Sequence, residues 1–452
     1  MQNRTKSAKP VSITVFEYGL LTASDKPAHD SVKAISTAAF DYLKKCCLCD
    51  ESESRFLKLK IAFGREVLQV QSYAGVVLCP DGTQIEILPK VAKWPLDADE
   101  AEGARQSLFM MLKSLKQFRH LQTEVAGIKT QKMPLLEVFI AQFLQSVNQL
   151  IKKGIRSEYV REQSNNTFLK GKLLHSQQLK HNFINQHRFY VEFDNYLTDK
   201  PANRVIHSAL AIVSKHTKLN KNLKLCQELL FAFNEIPLSK DHKSDFSAIT
   251  LQRGMAHYDV PLKWARLVLD GLSPQAMSGN NQAYSLLFPM EALFESFVAH
   301  YLSKNLPETI QLKTQMQGKS LVHYGDKKYF LLKPDLMLTP EGQPSIILDT
   351  KWKLLDQTKT DGKDKFGLSQ ADFYQMLAYG YKYLNSSGLL ILIFPKSAQF
   401  DKPLQHSFVF DDAHQLKLRV LPFDINHRSN VRIDLSALGL SHPNEEALDA
   451  GH

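Results

Sequence analysis

Eight consecutive residues, GLLILIFP at Gly388–Pro395, offer no polar face. A strand with this pattern is buried on both sides, which is the habit of parallel strands covered by helices above and below. Its core, Leu389–Phe394, is the most apolar run in the chain and is far too short to span a bilayer. The C-terminal part must therefore place this strand inside a sheet that is covered on both faces. A helix read over about Ser369–Leu384 precedes it.

The 452 residues are enough for about three domains, and the pattern predicts a multi-domain α/β protein. Residues 1–98 read as a β-rich domain, because VSITVFEYG, LKLKIAFG, EVLQVQSYAGVVL and TQIEILPKV are alternating or β-branched. Pro80-Asp81-Gly82 is a turn between the last two runs. Lys93–Glu102 is polar and acidic, and reads as a linker or a helix entry. Residues 99–277 read as mainly helical, with apolar stripes at Leu108, Met111, Leu112, Leu115 and Phe118, and at Leu135, Val138, Phe139, Phe143, Leu144 and Val147. A short strand pair is expected around Gly171, within the polar stretch 165–187. Residues 278–440 form the third domain. They comprise a helix over 283–303, strands near Ile310–Leu312, Lys328–Leu338 and Ser345–Leu354, the helix at 369–384 and the apolar strand, in the order α-β-β-β-α-β. The boundary falls at the composition change near Ser278-Gly279-Asn280, and residues 441–452 read as a disordered tail.

Lys plus Arg number 56 against 46 Asp plus Glu, a net charge of +10, which suits a polyanionic partner such as nucleic acid. An odd count of 5 cysteines in a long chain excludes a disulfide framework and fits reduced thiols. Cys46, Cys47 and Cys49 cluster, but no second pair follows at zinc spacing; the buried end of a helix over Val32–Leu48 explains them better. The polar opening MQNRTKSAKP carries no apolar secretory region, so a cytoplasmic protein without a membrane partner is expected.

The chemistry is concentrated in KPDLMLTPEGQPSIILDTKWK. Pro334-Asp335 lies in one β pattern, turn formers occupy Thr339–Pro344, and Ile346–Lys351 is the next strand. Residues i and i+2 of a strand share a face, so Asp349 and Lys351 point the same way, and a hairpin could bring Asp335 beside them. Two adjacent carboxylates repel unless a cation intervenes, and hard oxygen ligands favour Mg²⁺, with Mn²⁺ as the other option. Thr350, between the two strand residues, joins Asp335 and Asp349 in the candidate metal set. A cation so held can activate water and neutralise charge at a phosphodiester, while the lysine stabilises the same charge. In the following helix Gln375 and Tyr379 are four apart and share a face. Glu291 and Glu295 repeat that spacing in the preceding helix. Glu291 reads as a helix-surface charge, and Glu295 as a group able to lean over the site.

Asp335, Asp349 and Lys351, in this order of elements, resemble the PD-(D/E)XK nuclease fold, and Gln375 and Tyr379 match the Q-x-x-x-Y motif of several of its branches. More specifically, FEYG at Phe16, IEILPK at Ile85–Lys90, NRVIHSALAIVSKH at Asn203–His216, LLFPMEALFESFV at Leu286–Val298, LDTKWK and DFYQMLAYGYKY resemble the McrC family. That family supplies the nuclease component of 5-methylcytosine restriction systems. The resemblance covers about residues 12–430, with the late motifs the specific ones. It implies a Mg²⁺-dependent endodeoxyribonuclease whose catalytic residues are Asp335, Asp349 and Lys351, with Glu295, Gln375 and Tyr379 around them. It also implies docking on a hexameric McrB-like AAA+ GTPase, which the chain stimulates through residues 104–275, and action on methylated DNA. Self-association is implied if both DNA strands are cut.

The chain's own nucleotide capacity is testable by eye. Gly318-Lys319-Ser320 ends like a P-loop, but the glycine required five positions earlier is Lys313, so no nucleotide is expected on this chain. Lys327-Lys328 and the loop Lys359–Lys365 are basic segments near the candidate site, and the loop reads as solvated. Two other function classes remain open on the sequence. One is a non-catalytic adaptor that activates an AAA+ NTPase. The other is a recombination or repair nuclease that works without such a partner.

Overall fold

Alternating residues between 12 and 88 form seven strands and one helix: β1 (Ser12–Phe16), β2 (Leu20–Thr22), β3 (Val32–Ala34), α1 (Thr37–Cys49), β4 (Leu57–Ala62), β5 (Arg65–Val70), β6 (Tyr73–Leu78) and β7 (Gln84–Leu88). The computed structural model describes residues 12–23, 32–49, 56–90, 100–115, 134–250, 254–270, 284–316, 318–360, 364–411, 415–426 and 428–440. The tail 441–452, the first ten residues, Phe118, most of the 93–102 segment and the composition change at 278–280 lie outside the described residues. The helix expected from Val32 begins only at Thr37. Val32 pairs as a strand residue with Leu20, and Ser36 Oγ accepts the Ala39 N–H at 3.0 Å, which caps the helix start. The Pro80–Gly82 turn is closed by Thr83 N–H on Asp81 Oδ1 at 3.0 Å. After β7, α2 (Glu100–Ser114) is fixed to the strand by a bidentate pair from Arg105 to the buried Glu86, at 2.7 and 2.9 Å.

The middle of the chain, residues 122–276, is a compact unit of its own. It contains α3 (Leu135–Lys153), β8 (Glu158–Asn166), β9 (Lys172–Leu173), α4 (His175–Asn182), β10 (Phe189–Leu197), α5 (Pro201–His216), α6 (Asn220–Ala232), α7 (His242–Ala248) and α8 (Asp259–Asp270). The helical stripe of α3 is core, as its spacing predicts. The buried Glu137 caps the start of α6 by accepting Leu219 N–H at 3.1 Å and Asn222 Nδ2 at 2.8 Å. Asn203, fully buried on α5, donates to the Arg156 and Thr198 carbonyls and accepts the Tyr258 hydroxyl at 2.8 Å. The strand pair expected around Gly171 is larger than its sequence suggested. β8 and β10 form a nine-residue antiparallel pair, β9 adds two residues, and 175–182 is a helix. Polar residues here read as loop because their partners are distant. Asn182 exchanges hydrogen bonds with Asn165 at 2.8 Å, and Gln178 Oε1 accepts Tyr190 N–H at 2.6 Å.

The last part adds β11 (Tyr284–Pro289), α9 (Met290–Asn305), β12 (Ile310–Thr314), β13 (Lys319–Tyr324), β14 (Lys327–Leu332), β15 (Leu336–Pro340), β16 (Ile346–Thr350), α10 (Gln370–Tyr383), β17 (Gly388–Pro395), β18 (Phe408–Asp411) and β19 (Leu416–Phe423). The helix expected over 283–303 starts at Met290. Residues 284–289 are instead a strand that completes the sheet β1-β7-β6-β11. Gly75 makes that pairing possible: its φ is +140°, and a Cβ there would stand 1.9 Å from the Leu286 carbonyl oxygen. The expected single strand over Lys328–Leu338 is likewise two, broken at Lys333-Pro334-Asp335, because proline lacks the N–H that a central ladder needs.

Residues 1–121 and 277–452 consequently form one compact unit, not the separate domains 1–98 and 278–440 read from composition. Its larger sheet runs β12-β15-β16-β17-β19-β18, with β16, β17 and β19 parallel. Leu390, Leu392 and Phe394 pack with Met376 and Tyr379 of α10 on one face. On the other, Phe423 meets Phe294 and Phe297 of α9 edge to face. GLLILIFP is therefore covered on both sides. Among the described residues, no helix is long and apolar enough to cross a membrane.

Candidate active site

Antiparallel pairing of β15 with β16 sets Leu336 opposite Leu348, and one step further along that register Asp335 faces Asp349. The hairpin expected from the sequence thus brings the two carboxylates together. Asp335 sits where β15 begins, directly after the Pro334 break. Thr350 fixes it: its backbone N–H and its hydroxyl both donate to Asp335 Oδ2 at 2.7 Å. Asp349, on the last full turn of the β16 pleat, is only 1% exposed.

Lys351 lies two residues on and shares the Asp349 face, as the strand period requires. Its Nζ stands 2.7 Å from Asp349 Oδ2 and donates to Gln375 Oε1 at 2.8 Å. Gln375 Nε2 donates to Tyr379 Oη at 2.7 Å, and Tyr379 Oη donates to the Lys333 carbonyl at 3.1 Å. This relay runs from the buried carboxylate to the backbone two residues before Asp335. Helix α10 holds its members in place. Ser369 and Asp372 form a capping box at its start, and Gly380 lets the helix approach Leu416 of β19.

The electrostatics follow from burial. Burial pushes the Asp349 carboxyl up to about 7; the Asp335 charge adds to this and Lys351 opposes it. Glu295 of α9 is also raised, first by burial and then by Asp335, while Gln315 Nε2 donates to it at 3.5 Å. Tyr379 is pushed up to about 12, mainly by burial, so its hydroxyl keeps its proton. Glu295, Asp335, Asp349, Lys351, Gln375 and Tyr379 therefore form one electrostatic neighbourhood. Glu291 is exposed and acts electrically on Glu17 of the N-terminal segment.

Asp349 Oδ2 is buried, and the partner that meets it is the Lys351 ammonium at 2.7 Å. A buried carboxyl with a second acid beside it is relieved by a divalent cation. Among the described residues no three His, Cys, Asp or Glu side chains converge on one point, so Asp335 and Asp349 are the acidic pair available. Two carboxylates suit Mg²⁺, which retains several waters. A buried acid, a second acid beside it and a fixed ammonium are parts that hydrolysis of a charged ester uses.

The cysteines stand elsewhere. Cys47 is buried and donates its thiol to the Leu57 carbonyl at 3.3 Å, and burial pushes Cys79 up to about 12. The side chain of Cys49 lies outside the described residues. Lys319 and Ser320 open strand β13. The Lys359–Lys365 loop is described only in part. Sequence reasoning missed Glu17, whose two carboxylate oxygens accept the Trp352 indole N–H at 3.0 and 3.1 Å. The available signal was a lone acid in an otherwise β-patterned segment.

Comparison with known proteins gives a consistent result. Residues 68–395 match the family described as McrBC 5-methylcytosine restriction system component. The chain is 21% identical over 284 residues to the type IV methyl-directed restriction enzyme EcoKMcrBC of Escherichia coli K12, covering 61% of this chain and 80% of that protein. Its fold is similar to a chain in the refined half-complex from the tetradecameric assembly of Thermococcus gammatolerans McrB AAA+ hexamers with bound McrC. There the TM-score is 0.66 at 22% identity, over 93% of this chain and 97% of the other. A chain in the cryo-EM structure of the T. gammatolerans McrBC complex matches with a TM-score of 0.50 at 23% identity, over 66% of this chain and 89% of the other.

Proposed function

Since the chain belongs to the family of McrBC 5-methylcytosine restriction system components, we propose that it is the DNA-cleaving subunit of such a system. In this reading it is a PD-(D/E)XK endodeoxyribonuclease that hydrolyses phosphodiesters with Mg²⁺ while docked on an McrB-like AAA+ GTPase. The observation that carries the proposal is the buried Asp349 carboxyl, met by the Lys351 ammonium at 2.7 Å and facing Asp335 across the β15–β16 register.

Asp335 and Asp349 would hold the cation, with Thr350 keeping Asp335 in position through two hydrogen bonds. When bound, the cation neutralises phosphate charge and lowers the pKa of water in its shell. Lys351 supplies a fixed positive charge beside the scissile phosphate. Gln375 holds that ammonium, and Tyr379 holds Gln375. Glu295, raised by its surroundings, is placed to accept a proton from water.

Docking on the partner is assigned to residues 104–275, as the family resemblance implies, and the compact unit 122–276 makes up most of that span. Lys313 stands where a P-loop needs glycine, and in this reading GTP hydrolysis falls to the partner. The test is purification with a neighbouring AAA+ protein, followed by GTP-dependent cleavage of methylated and plain DNA. Cleavage that requires Mg²⁺ and is lost in Asp349→Ala supports the reading. Full cleavage by Asp349→Ala overturns it.

A further inference from the structure

We infer that the β13–β14 hairpin is a DNA-gripping arm that seats the duplex next to Asp335 and Asp349; the inference rests on the DNA-cleaving reading above. Residues 321–330 are exposed without interruption. They include large apolar side chains, with Tyr324 81% and Phe330 73% exposed, and Leu331 beyond them is 56% exposed. A two-stranded hairpin cannot bury both of its faces, and a concentration of apolar groups of this kind marks a surface that something covers.

Charge indicates what covers it. Between positions 319 and 333 lie Lys319, Lys327, Lys328 and Lys333, and the only acid is Asp326. None of the four lysines is in an ion pair among the described residues. Protein–protein interfaces are depleted in lysine, whereas lysines interleaved with tyrosine and phenylalanine suit a phosphate backbone and base stacks. At the tip, Tyr324 and Tyr329 lie edge to face with ring centroids 6.4 Å apart. Phe330 is held at φ +55°, and the ladder skips the pair it would make with Leu321. A left-handed aromatic residue is strained, and strain of that kind tends to be kept where a side chain must be presented.

Position completes the argument. Strand β14 runs through Lys333-Pro334 directly into Asp335. Its root is clamped to α10, the helix that holds Lys351 through Gln375. Tyr383 Oη donates to the Leu332 carbonyl at 2.9 Å, Tyr379 Oη donates to the Lys333 carbonyl at 3.1 Å, and the Lys319 ammonium lies 5.0 Å above the Tyr383 ring. The arm and the candidate active site are therefore indexed to one helix. A phosphodiester at Asp335 and Asp349 carries its flanking duplex past the arm.

The test uses the full chain with its AAA+ partner and a short labelled DNA duplex. Two double variants are compared with wild type: Lys327→Glu with Lys328→Glu, and Tyr329→Ala with Phe330→Ala. All four positions are exposed, and unchanged thermal unfolding verifies the fold. The lysine pair should weaken DNA binding at least about tenfold and reduce the slope of log affinity against log salt by about two. The aromatic pair should weaken binding with little change in that slope. Wild-type affinity and cleavage in both variants, with wild type cutting DNA normally, would overturn the arm and leave the nuclease reading intact. Loss of partner association with unchanged DNA affinity would overturn it in favour of a protein-docking role. Weaker DNA binding by variants of a wild type that does not cleave would uphold the arm and sink the nuclease reading.

Discussion

Trp352 and Glu17, 335 residues apart in sequence, are joined by hydrogen bonds of 3.0 and 3.1 Å from the indole to both carboxylate oxygens. Glu17 also accepts Lys90 N–H at 2.9 Å, and Trp352 packs at a tilt of 56° against Phe294 of α9 with ring centroids 5.4 Å apart. The residue after the candidate catalytic lysine is thus tied to the N-terminal sheet. Glu17→Ala leaves two part-buried hydrogen bonds unmade and should cost about 1–3 kcal/mol in all. Urea unfolding of the variant measures this, and an unchanged midpoint would show that the tie contributes nothing.

The same pair gives a pH dependence. Burial pushes Glu17 up to about 8 from 4.5, with the hydrogen bonds from Lys90 and Trp352 opposing it and Glu291 adding to it. The folded pKa is above the unfolded one, so the stabilisation is complete below about pH 4.5 and is lost as pH rises through about 8. Glu17→Gln removes this titration. The stability of wild type relative to Glu17→Gln should fall between pH 5 and pH 8, and a difference that stays flat across that range would contradict the shift.

At the candidate site, Asp335→Ala and Asp349→Ala should abolish cleavage, and Lys351→Ala should slow it by about 100- to 1000-fold. Without metal the Asp349 variant behaves differently. Its carboxyl is raised to about 7 by burial and by Asp335, so ionising it above that pH costs stability. Asp349→Asn should therefore match or exceed wild-type stability at pH 8 in EDTA while remaining inactive. A marked loss of stability would mean that the carboxylate is structural.

Gln375→Ala frees the Lys351 ammonium without touching either acid, and Tyr379→Phe removes the hydroxyl that holds Gln375. Displacing a reacting group by about 1 Å can cost roughly 100-fold, so both should reduce kcat by up to ~100-fold with KM for DNA little changed. A rise in KM at constant kcat would instead place Gln375 among the DNA contacts.

Gly75→Ala should destabilise the unit by at least ~2 kcal/mol, because the new Cβ would overlap the Leu286 carbonyl at 1.9 Å and φ is +140°. By the same geometry, a fragment of residues 280–440 leaves β11 without its β6 partner and should aggregate through that edge. A soluble fragment with a cooperative unfolding transition would show the pairing to be dispensable.

The contrast between what was legible and what was not has a physical origin. Asp335, Asp349 and Lys351 could be read because a turn and a two-residue period place them by local rules alone. The α10 pair, Gln375 and Tyr379, follows from helical spacing, and the Ser369 cap marks the start. Leu286 and Leu287 misled because they fit the stripe of the helix that follows, whereas Gly75, more than two hundred positions earlier, makes them a strand. The Glu17–Trp352 tie has no local signature: each residue is ordinary until the fold brings the two together. Strand β19 was missed because its alternation, LKLRVLPF, is interrupted by a proline near its end.

One compact unit assembled from residues 1–121 and 277–452 imposes an order of events on the ribosome. When β6 has left the exit tunnel, its partner β11 has not yet been translated. At ~5–20 residues per second, the intervening 122–276 segment takes roughly 10–30 s to make. Throughout that interval β6, which is buried along its whole length in the finished protein, has one open edge and an incomplete core. The nascent N-terminal segment thus presents an open strand edge for the length of that interval. Synonymous codon changes that slow translation of 122–276 lengthen that exposure without altering a single residue.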